Sequence, residues 1–205
     1  MHALRAFDEA PLDYILPENL PVMLGVRDGA IAATLASSRL LRPAINRRIR
    51  SELPPLPDAF PSANDRLLAE LALESAAELD QLCRVMSVLI NRRAILATTS
   101  GAVLREIVAW CGDQALIFSL HDARFPDFLE FEVLSVASHE LLDAYALRLK
   151  AHLLGTLPPA YRKRLELRLA SEQLCEPLTF VPGDPDEACL MEYVALARRY
   201  RDAKN

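Results

Sequence analysis

The chain has 205 residues, of which 52% are apolar and only 6% aromatic, and its formal net charge is −5. That balance excludes a general affinity for nucleic-acid backbones or anionic lipid, and it leaves Leu, Ala, Val and Ile as the material of the core. The opening residues carry Arg5, Asp8 and Glu9 and lack the apolar stretch of a signal peptide. The longest charge-poor run, Ala94 to Val103, has about half the length of a membrane span. A soluble, cytoplasmic chain is the expectation.

Pro11, Pro17, Pro21, Pro43, Pro54, Pro55 and Pro57, half of the 14 prolines, fall in the first sixty residues. Each removes a backbone donor and restrains its predecessor, so residues 7–25 are expected as irregular chain with short turns. Ala30 to Arg50 carries Ile31, Leu35, Leu40, Leu41, Ile45 and Ile49 near helical spacing, with Pro43 restarting the helix. Ser51 to Pro61 is a proline-rich spacer that divides an N-terminal segment, 1–61, from a main helical body, 62–205, the two forming one globular unit.

From Asn64 on, Leu68, Leu71, Ser75, Leu79, Leu82, Met86 and Leu89 line one helix face, with a break near Ser75 to Glu78 or a single long helix. Ser100 offers a hydroxyl cap for a helix over Ala102 to Trp110, and Gly112 and Asp113 punctuate before Gln114 to Leu120. Asp127 and Glu130 form a capping box for a long helix with Phe131, Leu134, Leu141, Leu142, Tyr145 and Leu149 on its apolar face, ending at Gly155 and Pro158. A shorter helix follows from Pro158 to Ala170. One extended stretch is allowed, at 178–181, before a last helix that Asp184, Pro185 and Glu187 start and that runs to about Arg201. The fold class is therefore all-α or nearly so: a compact multi-helix domain with a proline-rich irregular N-terminal segment.

Little in the chain converges on catalysis. His139-Glu140-Leu141-Leu142-Asp143 approaches the H-E-x-x-H zinc helix, with Glu140 as general base of a metal-dependent hydrolase. The second imidazole is missing, and His152 lies about 20 Å along the same helix at ~1.5 Å per residue. A solvated polar helix face explains the motif as well. There is no nucleophile elbow and no glycine-rich phosphate loop, so neither enzyme nor cofactor is expected. Cys83, Cys111, Cys175 and Cys189 are widely spaced and read as buried thiols.

Charge patterning says more. Arg39, Arg42, Arg47, Arg48 and Arg50 occur without an intervening acid, whereas residues 58–80 hold six acids against Arg66 alone. The arginines suit a carboxylate-rich partner surface, which bidentate guanidinium forks would grip. They equally suit a solvated helix face paired with neighbouring acids, and a DNA-binding regulator using the same arginines is a third reading. Tyr161-Arg162-Lys163-Arg164 and Arg198-Arg199-Tyr200-Arg201 are smaller basic clusters, each with an adjacent aromatic that would suit nucleic-acid contact, and the second is read as helix-end charge before that.

Leu82-Cys83-Arg84-Val85-Met86-Ser87-Val88-Leu89, then Arg92-Arg93, Leu96-Ala97 and the apolar run from Leu104 to Leu120, resemble the SctK family of type III secretion systems. Arg164-Leu165-Glu166-Leu167-Arg168-Leu169 resembles a second stretch of that family, and Phe7 through Leu20-Pro21 is similar to its opening segment. The resemblance implies a non-enzymatic accessory protein of the sorting platform at the cytoplasmic face of the inner membrane. Its partners would be the cytoplasmic domain of the inner-membrane ring protein, SctD, and the pod protein, SctQ. No cofactor, metal or membrane insertion comes with it.

Overall fold

The structure, a computed structural model, describes residues 2–57, 63–121, 134–170 and 187–204, and all regular structure in them is helical. The expected extended stretch at 178–181 and the capping signals at Asp127 and Asp184 lie outside the described residues. None of the described helices is long and apolar enough to cross a membrane. Two compact units form: residues 1–76 with 157–174, and residues 77–156 with 175–205. The division thus runs at Ala76/Ala77 rather than at the proline-rich spacer, because the first sixty residues close their core with side chains from the return segment near Leu167.

In the first unit, α1 (His2–Glu9), α2 (Leu20–Leu24), α3 (Gly29–Ser37), α4 (Arg42–Glu52), α5 (Ala63–Leu71) and α11 (Pro159–Glu166) are short. The prolines act as starters rather than as breakers: Pro11 and Pro17 each open a 3-10 turn, Pro21 sits in the first turn of α2, and Pro43 in that of α4. At those positions the missing N–H has no intrahelical partner to lose. Residues 7–25 are therefore a series of helical turns, not irregular chain. Phe7, Ile15, Leu20 and Met23 drive them inward against Ala32, Ile45, Ile49, Leu53 and Leu167. Tyr14 completes that face with its ring centroid 5.2 Å from Phe7 and the Arg168 guanidinium 5.9 Å above it. Gly25 ends α2 at φ +68, a left-handed cap that a Cβ would strain.

Polar bonds lock the return segment to this core. Leu16 N donates to Leu167 O at 3.0 Å, and Asn19 Nδ2 donates to Leu167 O and Leu169 O at 3.1 and 3.0 Å, satisfying carbonyls that the end of α11 leaves open. Arg164, 1% exposed, grips Asp8 with both arms of its fork, Nε to Oδ1 and Nη2 to Oδ2, each at 2.8 Å. Its Nη1 donates to Pro54 O at 3.0 Å and Ala160 O at 2.6 Å. One buried side chain thus joins α1, the chain after α4 and α11.

The second unit is built around α6 (Ala76–Ile90), which follows α5 after a break at residues 72–75. Leu79, Leu82, Cys83, Val85, Met86, Val88, Leu89 and Ile90 are all buried, so α6 is covered on nearly every side. α7 (Arg92–Leu96), α8 (Gly101–Cys111), α9 (Asp113–His121), α10 (His139–Thr156) and α12 (Glu187–Lys204) complete the unit. Lys150 Nζ on α10 reaches Asp80 at 2.7 Å, and Ser87 Oγ reaches Leu142 O at 2.8 Å. Advancing along α6 means retreating along α10, so these two helices run antiparallel. Asn91 Nδ2 donates to Ser87 O and its Oδ1 accepts from Leu134 N, both at 2.9 Å, satisfying a fully buried amide. The helix expected from Asp127 begins, in the described residues, at His139: residues 134–138 are not helical, and Ser138 Oγ accepts from Leu141 N at 3.3 Å.

Removing Asp8 leaves a buried guanidinium without its counter-ion. Asp8→Ala should cost about 3 kcal/mol in urea unfolding followed by circular dichroism, and Asp8→Ala combined with Arg164→Met should recover at least about half of it. Equal losses in the single and double variants would contradict this.

Candidate functional site

The five arginines singled out in the sequence lie on and just before α4. Ile45 and Ile49, one turn apart, turn one face of α4 into the core, and Asn46 Oδ1 on the adjoining edge accepts from Leu12 N at 3.1 Å. The arginines divide into two groups. Arg50 donates through Nε to Asp8 O at 2.7 Å and through Nη2 to Glu9 O at 3.2 Å, placing a cation on the last carbonyls of α1. Arg48 pairs with Glu52 at 3.4 Å, and a Cβ on Gly25 would stand 3.8 Å from its Nη2, so its guanidinium lies beside the end of α2. Arg42 pairs with Asp13, the residue that closes the first 3-10 turn. These three are occupied within the fold. Arg39 and Arg47 are exposed and make no hydrogen bond or ion pair with the described residues.

Exposed apolar side chains flank Arg39 along the chain, at positions that periodicity placed on a helix stripe with Ile45 and Ile49. Leu40 is 92% exposed and Ile31 52%, and Leu41 is exposed as well. The helix ends at Ser37 and restarts at Arg42, which resets the phase between Ile31 and Ile45. Ser37-Ser38 ahead of Pro43 was the local signal for that reset. Ser38 leaves the helix in extended geometry at ψ 114, and Ser37 Oγ turns back to Thr34 O at 2.8 Å.

The H-E-x-x-D helix spans the first turn of α10. His139 Nδ1 lies 3.5 Å from both Glu106 on α8 and Glu140. Asp143 does not join them: its Oδ1 accepts from Trp110 Nε1 at 2.8 Å. Glu140 is held below the usual carboxylate range by its own backbone N–H and then by the Ser138 hydroxyl, which weakens it as a general base. Among the described residues no group of three or more His, Cys, Asp or Glu side chains is arranged to hold a metal ion. The motif instead joins α8 to α10. Arg84 on α6 serves the same joint, with its guanidinium 5.6 Å from the Trp110 ring centre and Nη1 donating to Trp110 O at 3.4 Å.

The basic cluster at residues 161–164 is likewise occupied internally, because Arg164 is the buried partner of Asp8 and Arg162 pairs with Glu166 at 2.8 Å. Cys83 and Cys111 are buried free thiols, while the side chains of Cys175 and Cys189 lie outside the described residues. Burial pushes the Cys111 thiol up to about 11, with its backbone bond and the charge of Arg84 opposing weakly. Comparison of the chain with known protein families, with curated proteins and with solved structures finds no match.

Two outcomes follow from these placements. Arg50→Ala should lower stability by about 1 kcal/mol through the exposed carbonyls of α1, and Arg47→Ala should change it by less than about 0.5 kcal/mol; thermal unfolding of the two variants compares them. Cys111 holds its proton more tightly folded than unfolded, so its contribution to stability is complete below pH ~9 and is lost as pH rises toward 11. Alkylation at pH 8, read peptide by peptide by mass spectrometry, should therefore be about 100-fold slower at Cys111 in the native protein than in urea.

Proposed function

We propose that this protein is a non-enzymatic adaptor of a bacterial type III secretion system, linking the cytoplasmic domain of the inner-membrane ring protein to the pod protein of the sorting platform. It would work in the cytoplasm, at the inner face of that membrane and without inserting, and need no cofactor. The observation that carries the reading is a pair of exposed arginines without a partner among the described residues, Arg39 and Arg47, the first of them directly before the nearly fully exposed Leu40. Cations that hold no other described residue, one of them beside an exposed leucine, suit a protein-docking face. The particular system rests on the resemblance to the SctK family. Its matched stretches include the core-forming residues of α6 and the end of α11, so what they support is a shared helical framework.

A duplex-binding regulator is disfavoured by the same placements. Three of the five arginines already have partners, and two remaining cations on a chain of net charge −5 neutralise too few phosphates for useful affinity.

The reading is tested by co-purification of the tagged chain from a bacterium with a working type III system. Both the ring protein and the pod protein should come with it, and Arg39→Glu with Arg47→Glu should remove one of them, by at least about tenfold, without loss of helical signal. Retention of both partners by that variant contradicts the use of this face, and recovery of neither partner by the natural sequence contradicts the adaptor role.

A further inference from the structure

We infer that the exposed face of α3, together with Leu40 and Leu41, is the seat of an acidic amphipathic helix supplied by a protein partner. This deepens the adaptor reading and rests on it for there being a protein partner at all. α3 is the sequence Gly-Ala-Ile-Ala-Ala-Thr-Leu-Ala-Ser, and it buries only Ala32 fully. Ala30, Ile31, Ala33, Thr34 and Ser37 face solvent, and no charged side chain occurs between Gly29 and Ser38. Leu35 and Ala36 turn with Ala32 toward the core, so what α3 leaves in water is Ile31 among small, uncharged side chains that let a second backbone approach closely. The turn into α4 extends the surface with Leu40 and Leu41 rather than ending it with polar residues.

Charge selects the occupant. Arg27 precedes α3 and Arg39 follows it, and Arg47 projects from the solvent side of α4; all three are exposed and uncommitted among the described residues. Asp28, the acid that opens α3, already spends its carboxylate on the amides of Ala30 and Ile31, at 2.8 and 3.4 Å, as the cap of that helix. An apolar strip bounded by cations at both ends complements a helix with apolar residues on one side and Asp or Glu flanking them. A second copy of this chain presents the same cations and is repelled by them. Anionic membrane is a weaker match, since the net charge of −5 opposes approach to it.

The test uses the purified full chain, titrated by calorimetry with the purified cytoplasmic domain of the ring protein and, separately, with the purified pod protein. One of them should bind. For that one, Leu40→Asp should weaken binding at least about tenfold, as truncation or charging of a central anchor does. Raising NaCl from about 0.05 to about 0.5 M should also weaken the natural chain severalfold, and weaken Arg39→Glu with Arg47→Glu much less. Ile31→Ser serves as the milder second variant, and unchanged circular dichroism confirms folding. Binding that ignores both apolar substitutions and salt overturns the inference while leaving the adaptor role standing. Absence of binding to either protein overturns both. Sedimentation showing a dimer that Leu40→Asp dissociates, or binding to phosphatidylserine vesicles that Leu40→Asp abolishes while protein binding persists, overturns it in favour of the second copy or the membrane.

Discussion

A buried guanidinium organises the first unit. Arg164 has lost its water, and only a complete set of acceptors makes that tolerable: the Asp8 carboxylate on two arms and the carbonyls of Pro54 and Ala160 on the third nitrogen. Those acceptors come from α1, from the chain beyond α4 and from α11, so these segments have to arrive together. Apolar burial of Phe7, Ile49 and Leu167 would be satisfied by several neighbouring registers. A planar fork meeting a carboxylate is satisfied by one.

The same economy explains why a chain so rich in short helices holds together. Helices of five to eleven residues have little stability of their own and expose a high proportion of unpaired end groups. Arg50 covers the end of α1, Arg48 lies beside the end of α2, Asn19 covers the carbonyls at the end of α11, and Asp28 caps the start of α3. The second unit applies the device to longer helices. Arg84 and Gln81 on α6 reach the carbonyls of Trp110 and Cys111 at the end of α8, at 3.4 and 3.3 Å. Polar side chains here act chiefly as fittings between helix ends, which is why runs of charge in the sequence do not translate directly into binding surfaces.

This sorting bears directly on function. Of five arginines that look equivalent in the sequence, three are fastened to the fold and two face solvent, Arg39 directly before the exposed Leu40. The docking surface proposed above is accordingly smaller than the basic cluster and more apolar, centred on α3 and the turn after it rather than along α4. The His139 motif goes the other way: what reads as chemistry becomes a joint, with Asp143 held by Trp110 and His139 set between two glutamates.

The amino-acid order determined the all-α class, the restart at Pro43, the Ser100 cap and the buried stripe from Leu68 to Leu89, because helical period, proline geometry and capping act within four or five residues. It also pointed to the arginines as the informative charges. Only the tertiary structure decided which of them are spent, that Arg164 is buried, that α10 starts at His139 and that Ile31 and Leu40 face water. Each of those outcomes depends on a partner far away in the chain, such as Asp8 for Arg164 at a separation of 156 residues, or on a helix phase reset by a turn. Burial and pairing belong to two segments at once, and no reading along one of them contains the other.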